Sequence, residues 1–280
     1  MKLRKLEPQE HSKTRKLWEE IFTEDTQEFL DYYYTEKTAE NEIYVIEEDG
    51  KIVSMLHLNP YQMRIKNKIY KTHYIVAVAT DENYRKRGYM AQILNHAMQV
   101  MTDRGEPFTF LMPAAEAIYK PFGFEFVYEQ KRGTVTGKQC KGTEVAFVMA
   151  KEEDCLEIAD YANAKLQAYD VVTWRDAEYY KTVLKEQDSE DGGILLAKEN
   201  GKIMGVFCFA KGENIEIREP LFSTESILRQ AVYVLTGNEA EEVQCTGYGN
   251  EAKPMIMAKV LQPELEGVLN DLKVFINEVV

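Results

Sequence analysis

The stretch that decides the fold is VAVATDENYRKRGYMAQILNHAMQVM, residues 76–101. The run from Tyr74 to Ala79 combines β-branched, aromatic and small apolar residues, which predicts a buried strand. From residue 90 onward, apolar side chains recur at helical spacing, which predicts an amphipathic helix. These side chains are Met90, Ile93, Leu94, Ala97, Met98 and Met101.

The turn between this strand and this helix carries three cations and a glycine: Arg85, Lys86, Arg87 and Gly88. The first N–H groups of a helix have no partner inside it and usually bond to a Ser, Thr, Asp or Asn cap. Cations at this place indicate that a bound phosphate supplies the oxygen atoms instead. Gly88 has no Cβ, so a phosphate can approach its backbone. The alternative is a solvated basic turn, because Arg-x-x-Gly alone is a weak pattern.

A second informative stretch lies downstream, where FTFLMP (108–113) predicts a buried strand and AAEAIYKPFGF (114–124) a short helix leading into another strand. In this setting the chain resembles the GNAT superfamily of acyl-CoA-dependent N-acyltransferases, whose pyrophosphate loop reads Arg/Gln-x-x-Gly-x-Gly/Ala. Arg85 to Gly88 form a matching run, although Met90 stands where the pattern expects Gly or Ala.

Within that superfamily the chain resembles the enhanced intracellular survival (Eis-like) family of multi-acetylating enzymes. The residues that carry this resemblance are Val76–Val78, the bulky Met90 and the run from Ile118 to Gly123. It covers about residues 40–130 and is looser elsewhere. Such proteins usually continue into a sterol-carrier-like domain, which we expect a chain of 280 residues to lack. The chain-terminal carboxylate thought to act as base in the fuller family is therefore not assigned to Val280.

The resemblance implies that acetyl-CoA is the co-substrate and that it binds along the strand from Tyr74 to Ala79 and the basic turn. Backbone groups of the strand would hold the acyl arm, and N–H groups at the helix start would hold the diphosphate. The implied donor-binding residues are Val76, Ala77, Val78, Arg85, Lys86, Arg87, Gly88, Tyr89, Met90, Ala91, Ala114 and Ala115.

The resemblance also implies that Tyr119 is the general acid. Its phenol lies on the short helix after the strand predicted at 108–113, where it can give a proton to the leaving thiolate. The alternative is that Tyr119 only packs against neighbouring phenylalanines. His57 and His73 are weaker candidates for accepting the amine proton, since a lone histidine carries no information about its partners. The general base is therefore not identified by the sequence.

The charge of the chain is divided unequally. Residues 1–150 carry 21 Lys and Arg against 22 Asp and Glu, whereas residues 151–280 carry 13 against 25. An acidic half beside a near-neutral one argues against a nucleic-acid partner, whose phosphates need a basic surface. The acidic half would steer cationic amines towards the protein, or it only keeps the protein in solution.

The composition also indicates where in the cell the protein is found and whether it binds a metal ion. We find no apolar run of membrane-spanning length and no apolar signal-peptide core after the N-terminus, so we expect a cytoplasmic protein without a membrane partner. The four cysteines and four histidines lack the spacing of metal ligands, so we expect no metal.

The chain also repeats itself. EDGKI (48–52) recurs as ENGKI (199–203), each time between two apolar runs, and Asp-Gly and Asn-Gly are strong hairpin turns. Both hairpins follow two predicted helices, at about 8–22 and 26–37, then 152–168 and 176–187. The helix of the second copy has no basic turn. It is predicted to be capped by Ser223 or Thr224, with Glu225 in its first turn, so it has no need of a phosphate and would repel one.

We therefore predict an α+β (mixed α/β) fold of tandem GNAT-like domains, each with a twisted, mixed, mostly antiparallel sheet flanked by helices. Residues 1–145 would be the catalytic acetyl-CoA-binding domain, and residues 146–280 a degenerate second domain. The linker is predicted within residues 131–150, which could equally hold the last strands of the first domain, Thr134–Thr136 and Glu144–Met149. A C-terminal helix is predicted after Pro263.

The predicted activity is an N-acetyltransferase that acts on a primary amine of a small cationic molecule or of lysine, by direct attack in a ternary complex. One alternative is a non-catalytic acyl-CoA-binding sensor or scaffold, and another is a transferase of longer acyl chains. The amine acceptor and the acyl-chain preference cannot be read from the sequence, and a homo-oligomer remains open.

Overall fold

The computed structural model describes residues 1–139, 144–212, 214–265 and 272–278. The contacts of the chain divide it into two compact units. Unit 1 contains Met1–Tyr128, Tyr169–Trp174 and Met255–Val280, and unit 2 contains Glu129–Ala168 and Arg175–Pro254. The boundary at 145/146 stays a prediction about the two repeats, because the contacts divide the chain at other points.

The helices and strands are numbered along the chain. The helices are α1 (Arg15–Ile21), α2 (Gln27–Thr35), α3 (Tyr89–Asp103), α4 (Glu116–Tyr119), α5 (Cys155–Lys165), α6 (Ala177–Asp188) and α7 (Glu225–Thr236). The strands are β1 (Lys2–Lys5), β2 (Glu42–Glu48), β3 (Lys51–Ile65), β4 (Lys68–Thr80), β5 (Phe108–Leu111), β6 (Glu125–Thr136), β7 (Val145–Met149), β8 (Val171–Thr173), β9 (Gly193–Glu199), β10 (Lys202–Lys211), β11 (Ile215–Phe222), β12 (Glu242–Thr246), β13 (Glu251–Val260) and β14 (Val274–Phe275).

The sheet of unit 1 has the strand order β1-β2-β3-β4-β5-β13. Its neighbours are antiparallel except β4 and β5, which are parallel. The far end of β3 also pairs with β8, and β8 pairs with β14. The mixed, mostly antiparallel sheet predicted for this half is confirmed.

The sheet of unit 2 repeats this order as β7-β9-β10-β11-β12-β6, again with a single parallel pair, β11 with β12. Each sheet therefore receives its last strand from the other half of the chain, β13 in unit 1 and β6 in unit 2. Residues 134–136 belong to β6 and pair with β12, and β7 pairs with β9, so the strands predicted around the linker complete unit 2. Residues 140–143 of the predicted linker lie outside the described residues.

The two hairpins predicted from the repeat are present as β2–β3 and β9–β10. Their turn residues all have positive φ, 50° and 78° at Asp49 and Gly50 and the same values at Asn200 and Gly201. Two central residues with positive φ define the type I′ turn that suits a twisted hairpin. The repeat therefore extends to the backbone conformation of the turns.

Helices cover both faces of the unit 1 sheet. α1 and α2 pack on one face around an aromatic-rich core that includes Trp18, Phe29 and Tyr33. α3 turns its apolar residues to the other face, as its spacing predicts. Of the predicted C-terminal helix, only a single turn at Pro263–Leu265 is described, and residues 266–271 lie outside the described residues.

One close backbone approach in unit 2 gives a stability prediction. A Cβ added to Gly192 would lie 1.9 Å from the carbonyl oxygen of Phe209, whereas one added to Gly212 would meet no atom within 4 Å. Gly192→Ala should therefore lower the free energy of unfolding by about 1–3 kcal/mol, and Gly212→Ala by less than about 0.5 kcal/mol. Urea unfolding of both variants checks this, and equal midpoints would contradict it.

Candidate functional site

Strand β4 contains a bulge at Val76–Val78, the residues predicted to hold the acyl arm of the donor. Met55 of β3 pairs with Ala79 and His57 pairs with Val76, so Ala77 and Val78 together lie opposite a single residue of β3. Ala77 has a φ of 52°, which is uncommon for a residue with a side chain. Residues 76–78 are partly exposed in a strand whose neighbouring positions are buried. A bulge of this kind turns backbone groups away from the ladder.

The edge of β4 next to the bulge has no strand partner among the described residues. β4 and β5 are in register only at Tyr74 and Phe110, whose rings stack with centroids 4.9 Å apart. Beyond this point the two strands separate, which leaves the β5 side of residues 75–79 without a ladder. An extended ligand can pair with such an edge.

The start of α3 has the uncapped backbone that the predicted anion site requires. Gly88 is the N-cap residue, with a left-handed φ of 78°, and no side chain caps the helix. A Cβ added to Gly88 would meet no atom within 4 Å, so the space over the backbone is open. Because the N–H groups of Tyr89, Met90 and Ala91 precede the first helical hydrogen bond, they can bind an anion.

The three cations of the turn are all exposed. Arg87 forms an ion pair with Glu48 at 3.3 Å, and its guanidinium lies 4.7 Å from the ring centre of Tyr84. Arg85 lies 3.7 Å from Glu82, its neighbour within the same turn. Exposed pairs of this kind are weak and leave both guanidinium groups available to a phosphate.

Glu48 is a candidate site residue that the sequence does not reveal, because it contacts both Arg87 and Tyr89. It accepts a hydrogen bond from the hydroxyl of Tyr89, which raises the pKa of that phenol. The side chain of Tyr89 thus points towards Glu48, and only the backbone N–H of Tyr89 is left to bind an anion. Glu48 ends β2, distant in sequence from the basic turn, and only the folded sheet brings the two together.

Tyr119 lies at the end of α4 and is 7% exposed. Its ring packs edge-on against Phe124, with centroids 6.0 Å apart. Burial raises the pKa of its phenol to about 12, so it keeps its proton at neutral pH. No hydrogen bond to its hydroxyl is found in the described part of the chain. Ala114 and Ala115 are exposed just before this helix.

The two histidine candidates differ in their surroundings. His57 is fully buried, and burial, with a smaller contribution from the charge of His11, lowers its pKa to about 3. His57 is therefore neutral at pH 7 and a poor proton acceptor. His73 lies on the side of Tyr74 away from the bulge, and its Nδ1 is 2.9 Å from the carboxylate of Glu106.

Unit 2 has the same bulge with different chemistry. The register of β10 and β11 shifts at the equivalent point, so Glu219 and Pro220 lie opposite Phe207, and Glu219 has a φ of 49°. Pro220 has no N–H to offer a ligand. The Glu219 carboxylate forms an ion pair at 2.7 Å with Arg175, whose side chain is fully buried. The bulge of unit 2 thus holds an ion-paired glutamate and a proline where the bulge of unit 1 holds Ala77 and Val78.

The helix start of unit 2 also differs from that of α3. α7 follows Thr224 and has Glu225 in its first turn. Thr224, one of the two predicted residues, is the N-cap residue, but its side chain makes no capping hydrogen bond, and the Ser223 hydroxyl donates to the carbonyl of Met204 at 3.0 Å. The acidic first turn is present as predicted and disfavours an anion.

Two features are absent from the described residues. They contain no group of three or more His, Cys, Asp or Glu side chains arranged to hold a metal ion. Across residues 1–139, 144–212, 214–265 and 272–278, no helix has both the length and the apolar character needed to cross a membrane.

Comparison with known proteins agrees with this geometry. Residues 2–127 match the family described as acetyltransferase (GNAT) domain. No curated protein sequence matches the chain. Among solved structures, a protein of unknown function from Enterococcus faecalis V583, a probable N-acyltransferase, is 17% identical, with a TM-score of 0.78 over 93% of this chain and 72% of that one.

Two further structures share the fold along most of the chain. Eis1 from Mycobacterium abscessus is 9% identical, with a TM-score of 0.65 over 96% of this chain and 75% of that one. A tandem GNAT protein from the clavulanic acid biosynthesis pathway is 12% identical, with a TM-score of 0.60 over 94% of this chain and 99% of that one. Identities this low show a common fold, which includes the tandem arrangement.

Proposed function

We propose that this protein transfers an acetyl group from acetyl-CoA to a primary amine, because residues 2–127 match the acetyltransferase (GNAT) domain family. The acceptor is a small cationic molecule or a lysine side chain. The observation that carries the proposal is the uncapped start of α3, preceded by three exposed cations and an open glycine. These residues fit a diphosphate.

The donor would extend from this helix start to the bulge. Its diphosphate would accept hydrogen bonds from N–H groups of residues 87–91, with charge added by Arg85, Lys86 or Arg87. Its pantetheine arm would pair with the free edge of β4, and its thioester would lie at Val76–Val78. Ala114 and Ala115, small and exposed, would leave room on the opposite side of the gap between β4 and β5.

The reaction would proceed by direct attack. The neutral amine adds to the thioester carbonyl carbon, and the carbonyl oxygen gains negative charge that N–H groups of the bulge stabilise. The carbon–sulfur bond then breaks, the sulfur takes the phenolic proton of Tyr119, and the nitrogen gives its proton to solvent water, from which Tyr119 regains a proton. Holding both substrates in one complex supplies much of the rate.

The proposed class of acceptor, a cationic amine, is inferred from the acidic charge of the second half of the chain. Residues 151–280 carry 25 acidic against 13 basic side chains, which attracts cationic amines over the distance of a Debye length. The cytoplasmic location, the absence of nucleic-acid and membrane partners, and a homo-oligomer remain predictions from the sequence.

The proposed activity is tested by measuring free CoA thiol released from acetyl-CoA across a panel of polyamines, aminoglycosides and lysine peptides. We expect release that depends on at least one amine. Binding of acetyl-CoA without turnover on every amine would favour the sensor instead. Thermal unfolding with acetyl-, propionyl- and longer acyl-CoAs ranks the donors, because a ligand stabilises the state it binds.

The role of Tyr119 gives a separate prediction. Tyr119→Phe should lower kcat by about 100-fold and leave the KM for acetyl-CoA nearly unchanged, because only the proton donor is lost. Tyr233→Phe on α7 is the matched control and should keep full activity. Steady-state kinetics of both variants decides the question, and an unchanged kcat in Tyr119→Phe would remove the residue from the mechanism.

A further inference from the structure

Glu48 places a negative charge beside the proposed diphosphate site. It ends β2, and its carboxylate contacts the residues on both sides of Gly88, the N-cap residue of α3. One carboxylate oxygen lies 3.3 Å from Nη1 of Arg87, and the other accepts the hydrogen bond from the Tyr89 hydroxyl. The side chain of Glu48 is only 20% exposed. A carboxylate is therefore held against the basic turn.

Arg87 does not depend on Glu48 for its position. Its Nη2 donates a hydrogen bond to the backbone carbonyl of Asn83 at 3.1 Å, and its guanidinium lies 4.7 Å from the ring centre of Tyr84. The first turn of α3 is closed by its own helical hydrogen bond, in which the N–H of Gln92 is the donor, at 3.0 Å. Removing the charge of Glu48 therefore leaves the basic turn and the helix start in place.

A phosphate that reaches Arg87 meets Glu48 in one of two ways. If both anions share the guanidinium, they lie close together and repel each other. If the phosphate displaces the carboxylate, the ion pair between Arg87 and Glu48 is lost. Because Glu48 also contacts Tyr89, the first residue of α3, the repulsion extends to an anion at the helix start. In each case Glu48 makes the binding of a phosphate less favourable.

We propose that Glu48 sets the donor affinity by weakening the hold of the basic turn on coenzyme A and its acyl derivatives. This role rests on the proposed function, because it takes the diphosphate of the donor as the anion. Donor and product carry the same diphosphate, so Glu48 raises the dissociation constants of both. Release of the product limits the rate of many enzymes. A weaker hold on coenzyme A shortens the time for which the product blocks the site.

Titration calorimetry of coenzyme A with Glu48→Gln tests this role. The new side chain has the same shape, and its amide oxygen can still accept from the Tyr89 hydroxyl. At low salt we expect the variant to bind coenzyme A about 5- to 10-fold more tightly than the native protein, because one opposing charge is gone. This gain should largely disappear at 1 M NaCl, where the Debye length is about 3 Å. A purely structural effect of the substitution would not depend on salt in this way.

The neighbouring residue of β2 provides the control variant. Glu47→Gln changes the net charge by the same amount, but the Glu47 carboxylate pairs with Arg4 at 2.8 Å, so coenzyme A binding should not change. If Glu48→Gln bound no more tightly than Glu47→Gln, or if its gain persisted at 1 M NaCl, Glu48 would not have this role. Glu48→Ala should show the same gain and replaces Glu48→Gln if that variant does not fold. If the native protein bound no coenzyme A, the proposed function itself would fail.

Discussion

Replacing Val78 with proline is expected to lower kcat/KM for acetyl transfer by about 10²- to 10³-fold, the usual effect of losing one oxyanion donor. Val78 belongs to the bulge of β4, where the proposed thioester would lie, and proline removes its N–H. The repeated half shows that the fold accepts proline here, because Pro220 occupies the equivalent position of β11. The measurement is amine-dependent release of CoA thiol.

Two control variants separate the effect of losing the N–H from the effects of a changed side chain and of a disturbed fold. Val78→Ala keeps the N–H and should retain activity within about threefold, since no oxyanion donor is lost. Pro220→Val adds an N–H to the bulge of unit 2 and should leave activity unchanged, because that bulge contains none of the proposed donor-site residues. Equal activity of Val78→Pro and Val78→Ala would contradict the role of this amide.

Reversing both charges with Arg85→Glu and Arg87→Glu is expected to weaken coenzyme A binding at least about 100-fold. A hydrogen bond to a charged group contributes about 1.5–3 kcal/mol, and 1.4 kcal/mol corresponds to a factor of ten. The reversal also places like charges beside Glu48 and Glu82, so the turn itself becomes repulsive to an anion. Titration calorimetry with coenzyme A measures the effect.

A control ligand and a control variant show whether a loss of coenzyme A binding is due to the basic turn. Pantetheine lacks the diphosphate, so its affinity should be the same for the native protein and for the double variant. Lys16→Glu changes a cation of α1 that is 82% exposed and should leave coenzyme A binding intact. If the double variant bound coenzyme A like the native protein, the basic turn would not be the diphosphate site, and the proposed acyl donor would lose its support.

Local sequence signals predicted most of the elements of the proposed donor site. The spacing of apolar residues predicted α3, the Asp-Gly and Asn-Gly turns predicted the two hairpins, and the basic turn before Gly88 predicted an uncapped helix start. Each of these features depends on residues close together in the chain. Their physical causes, side-chain periodicity and the conformational freedom of glycine, are readable without the fold.

Features that depend on distant residues were not predictable. Glu48 approaches Arg87 and Tyr89 only because β2 lies near the start of α3 in the folded sheet. The buried hydrogen bonds of Tyr33 with His57 and Asn59 require α2 to pack on β3. His57 and Asn59 share one face of a predicted strand, which was the only sequence signal for them. The exchange of β6 and β13 between the sheets depends on strand pairing across more than a hundred residues.

This exchange of strands bears on why both repeats persist. Cutting the gene between the repeats would release two polypeptides, each with an unpaired sheet edge where its final strand is missing, and such edges promote aggregation. The second repeat is indispensable even without a ligand site of its own, because it donates β13 to the other sheet. The two repeats therefore depend on each other structurally, and loss of either one would leave the other sheet incomplete.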